Sequence, residues 1–264
     1  LSAWWAMLFL LLVMLGFLAA YGSYLVGKER AGTIRLAGLA SFAMIVAAGS
    51  IIHMLNMESL RPEMWGEWYT AGNQLATSGW AFKAFSVSRF GHFIVPSAIN
   101  AGIFLMLYSW YLAGKPGTNK DYLDWVATLG GNITRVSLVV QAGSGLWWLF
   151  AVPGNLNFLV NPGFHLGVTI AVVALAALFW TTAAPQRRAP VAALISFIAV
   201  LAMSVSREAL RMAYVGIFDY SIYDYPVQID WGSTILFLAT FVAGLVIMSY
   251  PLLVAYKAGR GEEV

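Results

Sequence analysis

The chain has 264 residues, 60% of them hydrophobic and only 10% charged, with 11 tryptophans and a formal net charge of +3. A soluble domain carries about 25% charged residues, so this composition excludes an ordinary water-soluble globule and points to lipid as the solvent. The absence of cysteine excludes disulfides, thiolate metal sites, iron–sulfur ligation and covalent attachment of a c-type haem.

Taken in chain order, seven apolar runs are near or above the roughly 20 residues that cross a bilayer as a helix: residues 3–26, 36–55, 90–112, 125–150, 164–180, 191–214 and 234–256. None alternates apolar and polar residues as a membrane barrel strand does. The expectation is therefore an all-α integral membrane protein, a bundle of about seven transmembrane helices forming a single domain over residues 1–264. The first run is long and lacks a basic leader, so it is read as a retained helix and not a cleaved signal.

Lysine and arginine in the connections set the orientation. One set of loops holds nine (Lys28, Arg30, Arg35, Lys115, Lys120, Arg187, Arg188, Lys257 and Arg260), the other only Arg61, Lys83 and Arg89. The first set is expected in the cytoplasm, with the N-terminus outside and the C-terminus inside. The net positive charge then reflects topology and gives no nucleic-acid signal. The two sizeable loops, 56–88 and 215–232, both fall outside. They carry Trp65, Trp68, Trp80, Tyr220, Tyr223 and Tyr225 among Glu58, Glu63, Glu67, Asp219, Asp224 and Asp230. They read either as a docking surface for a partner with basic residues or as an ordered lid with an interfacial aromatic belt.

The chain has three histidines. His53 falls in the last turn of the second run, His92 in the first turn of the third and His165 in the first turn of the fifth. At about 1.5 Å of rise per residue they share one depth, in the outer leaflet. An imidazole there needs a partner and is by default a functional residue; the plain alternative is a hydrogen bond to a neighbouring helix. Two neutral imidazoles from facing helices hold a six-coordinate haem b, whose flat ring needs small neighbours and whose propionates need cations. Small residues are present at Gly49, Ser50, Gly91, Gly102, Gly143, Ser144, Gly145, Gly163 and Gly167. Arg89 sits one turn outward from His92, where a propionate would point. Pro96 cannot donate to the His92 carbonyl, which predicts a bend just below the ligand.

The segment SRFGHFIVPSAINAGIFLMLYSWYLAGK resembles the helix of the cytochrome bd large subunit that carries the histidine ligand of its low-spin haem b, with a basic residue three positions before the histidine. SLVVQAGSG resembles the end of the following helix, without the family's acidic residue before Ser-Gly. PGFHLGVTIAVVALAALFW resembles the helix that supplies a methionine as the other ligand, with His165 at about that position. SREALRMAY and YPVQIDWGSTILFLATFVAGLVIMSYPLLVAYKAGR resemble the last two helices. The resemblance covers roughly residues 36–260 and implies a low-spin haem b module with His92 and His165 as axial pair. Two departures are informative. The first run has neither His nor Glu, and Leu201 stands where the family has a glutamate ligand, so no oxygen-reducing haem site is expected. The quinol-binding loop is reduced to residues 151–163.

His53 is expected to ligate a second haem, face a partner's haem or hydrogen-bond a propionate. Met54, Met57 and Met203 are possible thioether ligands, more often packing residues. Arg135, Arg207, Glu208 and Arg211 form a charged set that either serves propionates and quinone protons or is structural, Glu208 and Arg211 being spaced to pair. Two functions follow. The first is a haem b electron-transfer subunit of a respiratory complex in a prokaryotic cytoplasmic membrane, passing electrons between quinone and a c-type cytochrome on the outer face. The alternative is a non-redox membrane protein, a transporter or assembly factor, whose histidines bind a metal or are structural; the absence of internal repeats disfavours a transporter.

Overall fold

The computed structural model describes residues 3–25, 31–71, 74–75, 79–218, 224, 226 and 228–258. They fall into two units, residues 1–219 and 220–264. The first holds α1 (Ala3–Leu25), α2 (Ala31–Ser59), a short α3 (Trp65–Tyr69), α4 (Val87–Ala113), α5 (Lys120–Ala151), α6 (Pro162–Thr181) and α7 (Ala189–Gly216). Its only extended pairing among the described residues is a two-residue ribbon, β1 (Thr70–Ala71) against β2 (Gln74–Leu75). The second unit is α8 (Trp231–Ala258).

Six of these helices, α1, α2, α4, α6, α7 and α8, are long and apolar enough to cross a membrane. The remaining long helix, α5, has 32 residues, but Lys120, Asp121, Asp124, Arg135 and Gln141 dilute its apolar character. Every predicted run is helical at its centre, and most helices outrun their apolar stretch. Thus α2 starts at Ala31 and ends at Ser59, beyond the 36–55 read from hydropathy, because backbone groups near the headgroups are still best satisfied within the helix.

Local signals set the starts. Ser86 caps α4, its hydroxyl accepting the Arg89 N–H at 3.4 Å. Asn119 caps α5 through the Tyr122 N–H at 3.1 Å. Asn161 accepts from Gly163 and Phe164 at 2.8 and 3.3 Å, with Pro162 beside it in the first turn of α6. These oxygens satisfy amides that a helix leaves orphaned. Helix α4 continues through Pro96, and the Asn100 side-chain amide donates to the Pro96 carbonyl at 3.0 Å.

The first unit packs as three sequential hairpins, α1 with α2, α4 with α5 and α6 with α7; α4 against α7 and α5 against α6 join the last two. Glycines permit the tightest crossings. A Cβ on Gly102 would lie 2.6 Å from the Gly130 carbonyl oxygen, and one on Gly167 would lie 2.6 Å from the Ala202 carbonyl oxygen. Such small-residue contacts let membrane helices gain dispersion energy where no hydrophobic drive operates between them. Two apolar clusters flank the middle of the bundle. One gathers Met57, Leu60, Leu156, Phe158, Leu210 and Tyr214; the other gathers Ile99, Ile103, Met106, Leu138 and Leu178. The first is completed by the 151–163 connection, in which Asn157 adopts the left-handed conformation (φ 47°) that asparagine tolerates better than most residues. Trp80 stacks on Trp4 and meets Trp5 edge-on, and the Trp4 N–H donates to the Gly79 carbonyl at 3.2 Å, tying the 56–88 connection to α1.

Candidate functional site

His92 lies in the second turn of α4, 6% exposed, and α5 holds its ring. The Gln141 side-chain nitrogen is 3.2 Å from both ring nitrogens, and the Ser144 hydroxyl oxygen is 3.4 Å from Nδ1. Ser144 spends its own proton on the Gln141 carbonyl at 3.0 Å. The Trp148 ring lies 5.1 Å from the imidazole, centroid to centroid. Gly145 leaves the ring its room, since a Cβ there would stand 3.2 Å from Cε1. Gln141 Oε1 is buried without a hydrogen-bond partner.

One turn toward the start of α4, Arg89 is 5% exposed. Its Nη1 donates to Met57 Sδ at 2.8 Å, and its guanidinium carbon lies 5.4 Å from the Phe93 ring centroid and 5.9 Å from that of Trp148. Nε has no partner, and among the described residues no carboxylate pairs with this arginine. A buried cation with soft partners is an expensive arrangement, since removing a charge from water costs several kcal/mol unless an anion compensates it.

A cavity of about 260 Å³ opens beside His92 between α4, α5, α6 and α7. His92, Gln141, Ser204 and Arg207 supply polar groups to its wall, Met203 a thioether, and Leu138, Leu175 and Leu178 an apolar surface. A second cavity, of about 290 Å³, adjoins it through Asn100, Ser196 and Val200, where the Ser196 hydroxyl donates to Asn100 Oδ1 at 2.7 Å.

The other predicted site residues lie elsewhere. His53 is buried in α2, where its Nε2 accepts the Ser86 N–H at 3.3 Å and its ring meets Phe85 and Phe90. His165 is exposed on α6, with Nε2 against the Leu159 carbonyl, and it is not among the residues that line the His92 cavity. Arg135 reaches the end of α6, donating from Nε and Nη2 to the Thr182 hydroxyl and carbonyl at 3.2 and 3.1 Å; this caps the carbonyl end of that helix. Arg211 pairs with Glu208 at 3.6 Å on an exposed face. Met54 is fully buried. Among the described residues no three His, Asp or Glu side chains gather as a metal site.

Of the aromatics expected on the outer loops, Trp65 and Trp80 are exposed, while Trp68 packs on the cluster around Met57. Glu63 and Glu67 are exposed and Glu58 is buried. Asp219, Tyr220, Tyr223 and Tyr225 lie outside the described residues. The residues that sequence reasoning did not single out are Gln141, Ser144 as a partner of His92, and Trp148. Their only signal was the motif QAGSG, whose spacing puts Gln141, Ser144 and Gly145 on one helix face. Comparison with family models, with curated proteins and with solved structures finds no match for this chain.

Proposed function

We propose that this chain is a membrane haem b subunit that carries electrons between the quinone pool and a redox partner on the outer face, such as a c-type cytochrome. The observation that carries the proposal is the pair Arg89 and His92. A buried guanidinium without a carboxylate partner among the described residues stands one turn from a buried imidazole, and the imidazole opens on a largely apolar cavity. Haem b has the matching chemistry: an iron that takes an imidazole, an apolar ring and two carboxylates. The orphaned donor Arg89 Nε fits as well, since an anionic ligand group would accept its hydrogen bond.

When bound, haem supplies a one-electron iron couple. The protein's residues do the rest. His92 would ligate the iron, with Gln141 and Ser144 beside its ring. Arg207 at the cavity wall, with Arg89 one turn from His92, would neutralise the propionates. Trp148 and Phe93 close the guanidinium off from water. Two residues could supply a second ligand. His165, which the resemblance favours, would have to leave the Leu159 carbonyl and enter the cavity. Met203 already lines that cavity with His92, and its sulfur accepts no hydrogen bond, whereas those of Met57 and Met106 do; this observation favours Met203.

In this reading α5 crosses the membrane with the six more apolar helices, the N-terminus is outside, the C-terminus cytoplasmic, and the membrane is a prokaryotic cytoplasmic one. The chain by itself does not reduce oxygen, because Leu201 and a first helix without His or Glu offer no ligands for that chemistry.

The test is a reduced-minus-oxidised spectrum of the full chain loaded with haem b in detergent. Low-spin bands are expected, abolished by His92→Ala. Of Met203→Leu and His165→Ala, the one that converts the spectrum to high spin identifies the second ligand. Absence of haem uptake, or unchanged bands in His92→Ala, refutes the assignment.

A further inference from the structure

Neutral His92 has one proton for two ring nitrogens, and its surroundings decide which nitrogen holds it. Among the described residues, Ser144 Oγ is the only oxygen within hydrogen-bond reach of either nitrogen, 3.4 Å from Nδ1. Its own proton goes to the Gln141 carbonyl at 3.0 Å, so toward the ring Ser144 offers lone pairs and the Nδ1 N–H donates to it. The Gln141 amide does not compete. Its nitrogen stands 3.2 Å from both ring nitrogens, which puts it over the imidazole face, since in the ring plane it would collide with Cε1. There an amide N–H meets the π system and leaves the in-plane lone pair of Nε2 untouched. The other neighbours bring no acceptor: Trp148 presents its ring, Phe93 is apolar and Arg89 only donates. Gly145 admits this orientation. An ideal Cβ there would stand 3.2 Å from Cε1 and 3.5 Å from Nδ1, with Nε2 beyond 4 Å, so the Nδ1–Cε1 edge is the one turned toward α5. Turning the ring over would bring a carbon to Ser144 and lose the hydrogen bond.

We propose that Ser144 is a positioning residue that sets the tautomer and the facing edge of His92, holding the proton on Nδ1 so that Nε2 is the nitrogen presented for coordination. The tautomer follows from the ligand-free geometry; coordination through Nε2 rests on the haem reading. An acceptor at the distal nitrogen fixes the orientation of a ligating histidine and raises its basicity, and its loss costs roughly 10–100-fold in metal affinity.

Nitrogen NMR of the full ligand-free chain with labelled histidine reads the tautomer, the His92 signals being assigned by their loss in His92→Phe. Wild type should carry the proton on Nδ1. Ser144→Ala should cut the ratio of the Nδ1–H to the Nε2–H form about tenfold, the weight of one net hydrogen bond, and Ser144→Thr, which keeps the hydroxyl, should restore it. Gln141→Leu should leave the proton on Nδ1, since it removes only the group over the ring face. A wild-type proton on Nε2, or a ratio unmoved by Ser144→Ala, overturns the proposal whatever the fate of the haem reading. In the haem-loaded chain, Ser144→Ala should raise the haem dissociation constant about tenfold, with recovery in Ser144→Thr. Equal affinities in wild type and Ser144→Ala overturn the role in coordination. A wild-type chain that takes up no haem defeats the parent reading and that role with it, and the first measurement still decides the tautomer.

Discussion

Replacing Gly102 with alanine tests whether the α4–α5 crossing holds the candidate site together. The new Cβ would lie 2.6 Å from the Gly130 carbonyl oxygen and 2.9 Å from the Thr134 backbone nitrogen, about 1 Å inside a comfortable separation of ~3.5 Å. Both obstacles belong to helix backbone, so no side-chain rotation relieves them and α4 has to move away from α5. Overpacking of this kind costs about 1–3 kcal/mol. Backbone obstacles put this case at the upper end, about 2–3 kcal/mol, and the ~1 kcal/mol of helix propensity that alanine returns leaves a net loss of about 1–2 kcal/mol, or a roughly 5–30-fold fall in the folded-to-unfolded ratio. Gly143→Ala is the matched control in the same hairpin: its Cβ meets nothing within 4 Å, so only the propensity gain remains and the sign reverses. Denaturant titration in mixed micelles, followed by tryptophan fluorescence, reads both. The reasoning is refuted if Gly102→Ala is as stable as wild type, or if Gly143→Ala loses as much.

Arg89→Met should stabilise the ligand-free chain by about 1–2 kcal/mol, because a buried charge costs several kcal/mol and its aromatic contacts return only ~2; the same titration checks it, and a clear destabilisation would mean that Arg89 is already compensated. Asp230 starts α8 by accepting from Gly232 and Ser233 N–H at 3.0 and 3.4 Å and from the Ser233 hydroxyl at 2.6 Å. The Ser233 hydroxyl, then the Ser233 and Gly232 amides, hold its carboxyl below the usual carboxylate range. The folded-state pKa being depressed, the cap is fully present above the unfolded value of ~3.9 and is lost as pH falls through the folded one. Amide exchange at Gly232 and Ser233 should therefore be protected at neutral pH and exposed in strong acid, with Asp230→Ala exposed throughout; exchange independent of pH after correction for intrinsic rates would dismiss the cap.

The helices were legible because lipid leaves a chain few ways to satisfy its backbone. Arg89 and His92 were legible as a pair because three residues of spacing put them on one face. Their surroundings were not. Met57 comes from α2, Gln141 and Trp148 from α5 and Met203 from α7, and only packing decides that these faces meet. His165 shows the limit of matching depths. Depth follows from counting rise, whereas direction changes by about 100° per residue, so a residue at the right height can face away; His165 is exposed on α6, and on that same helix the buried Gly167 faces α7. Arg135 shows a second limit. A lone cation within an apolar run invites a ligand, yet the Thr182 hydroxyl and carbonyl at the end of α6 are acceptors for it that hydropathy does not reveal.

The place of the cavity follows from how the small residues are spent. Gly102 with Gly130 draws α4 onto α5, and Gly167 with Ala202 and Ser206 draws α6 onto α7. Each hairpin is thus tight within itself. Between the hairpins, a Cβ on Gly131 of α5 would stand 3.1 Å from Pro185 beyond the end of α6, and Ser196 donates to Asn100 Oδ1, but among the described residues no helix backbone pair approaches as closely as within each hairpin. The seam is therefore where volume remains, bounded by His92 on one hairpin and by Met203 and Arg207 on the other. Room for a flat ligand there requires no breach of either tight crossing. It requires only that the two hairpins separate along this seam, where His92 stands on one side and Met203 and Arg207 on the other.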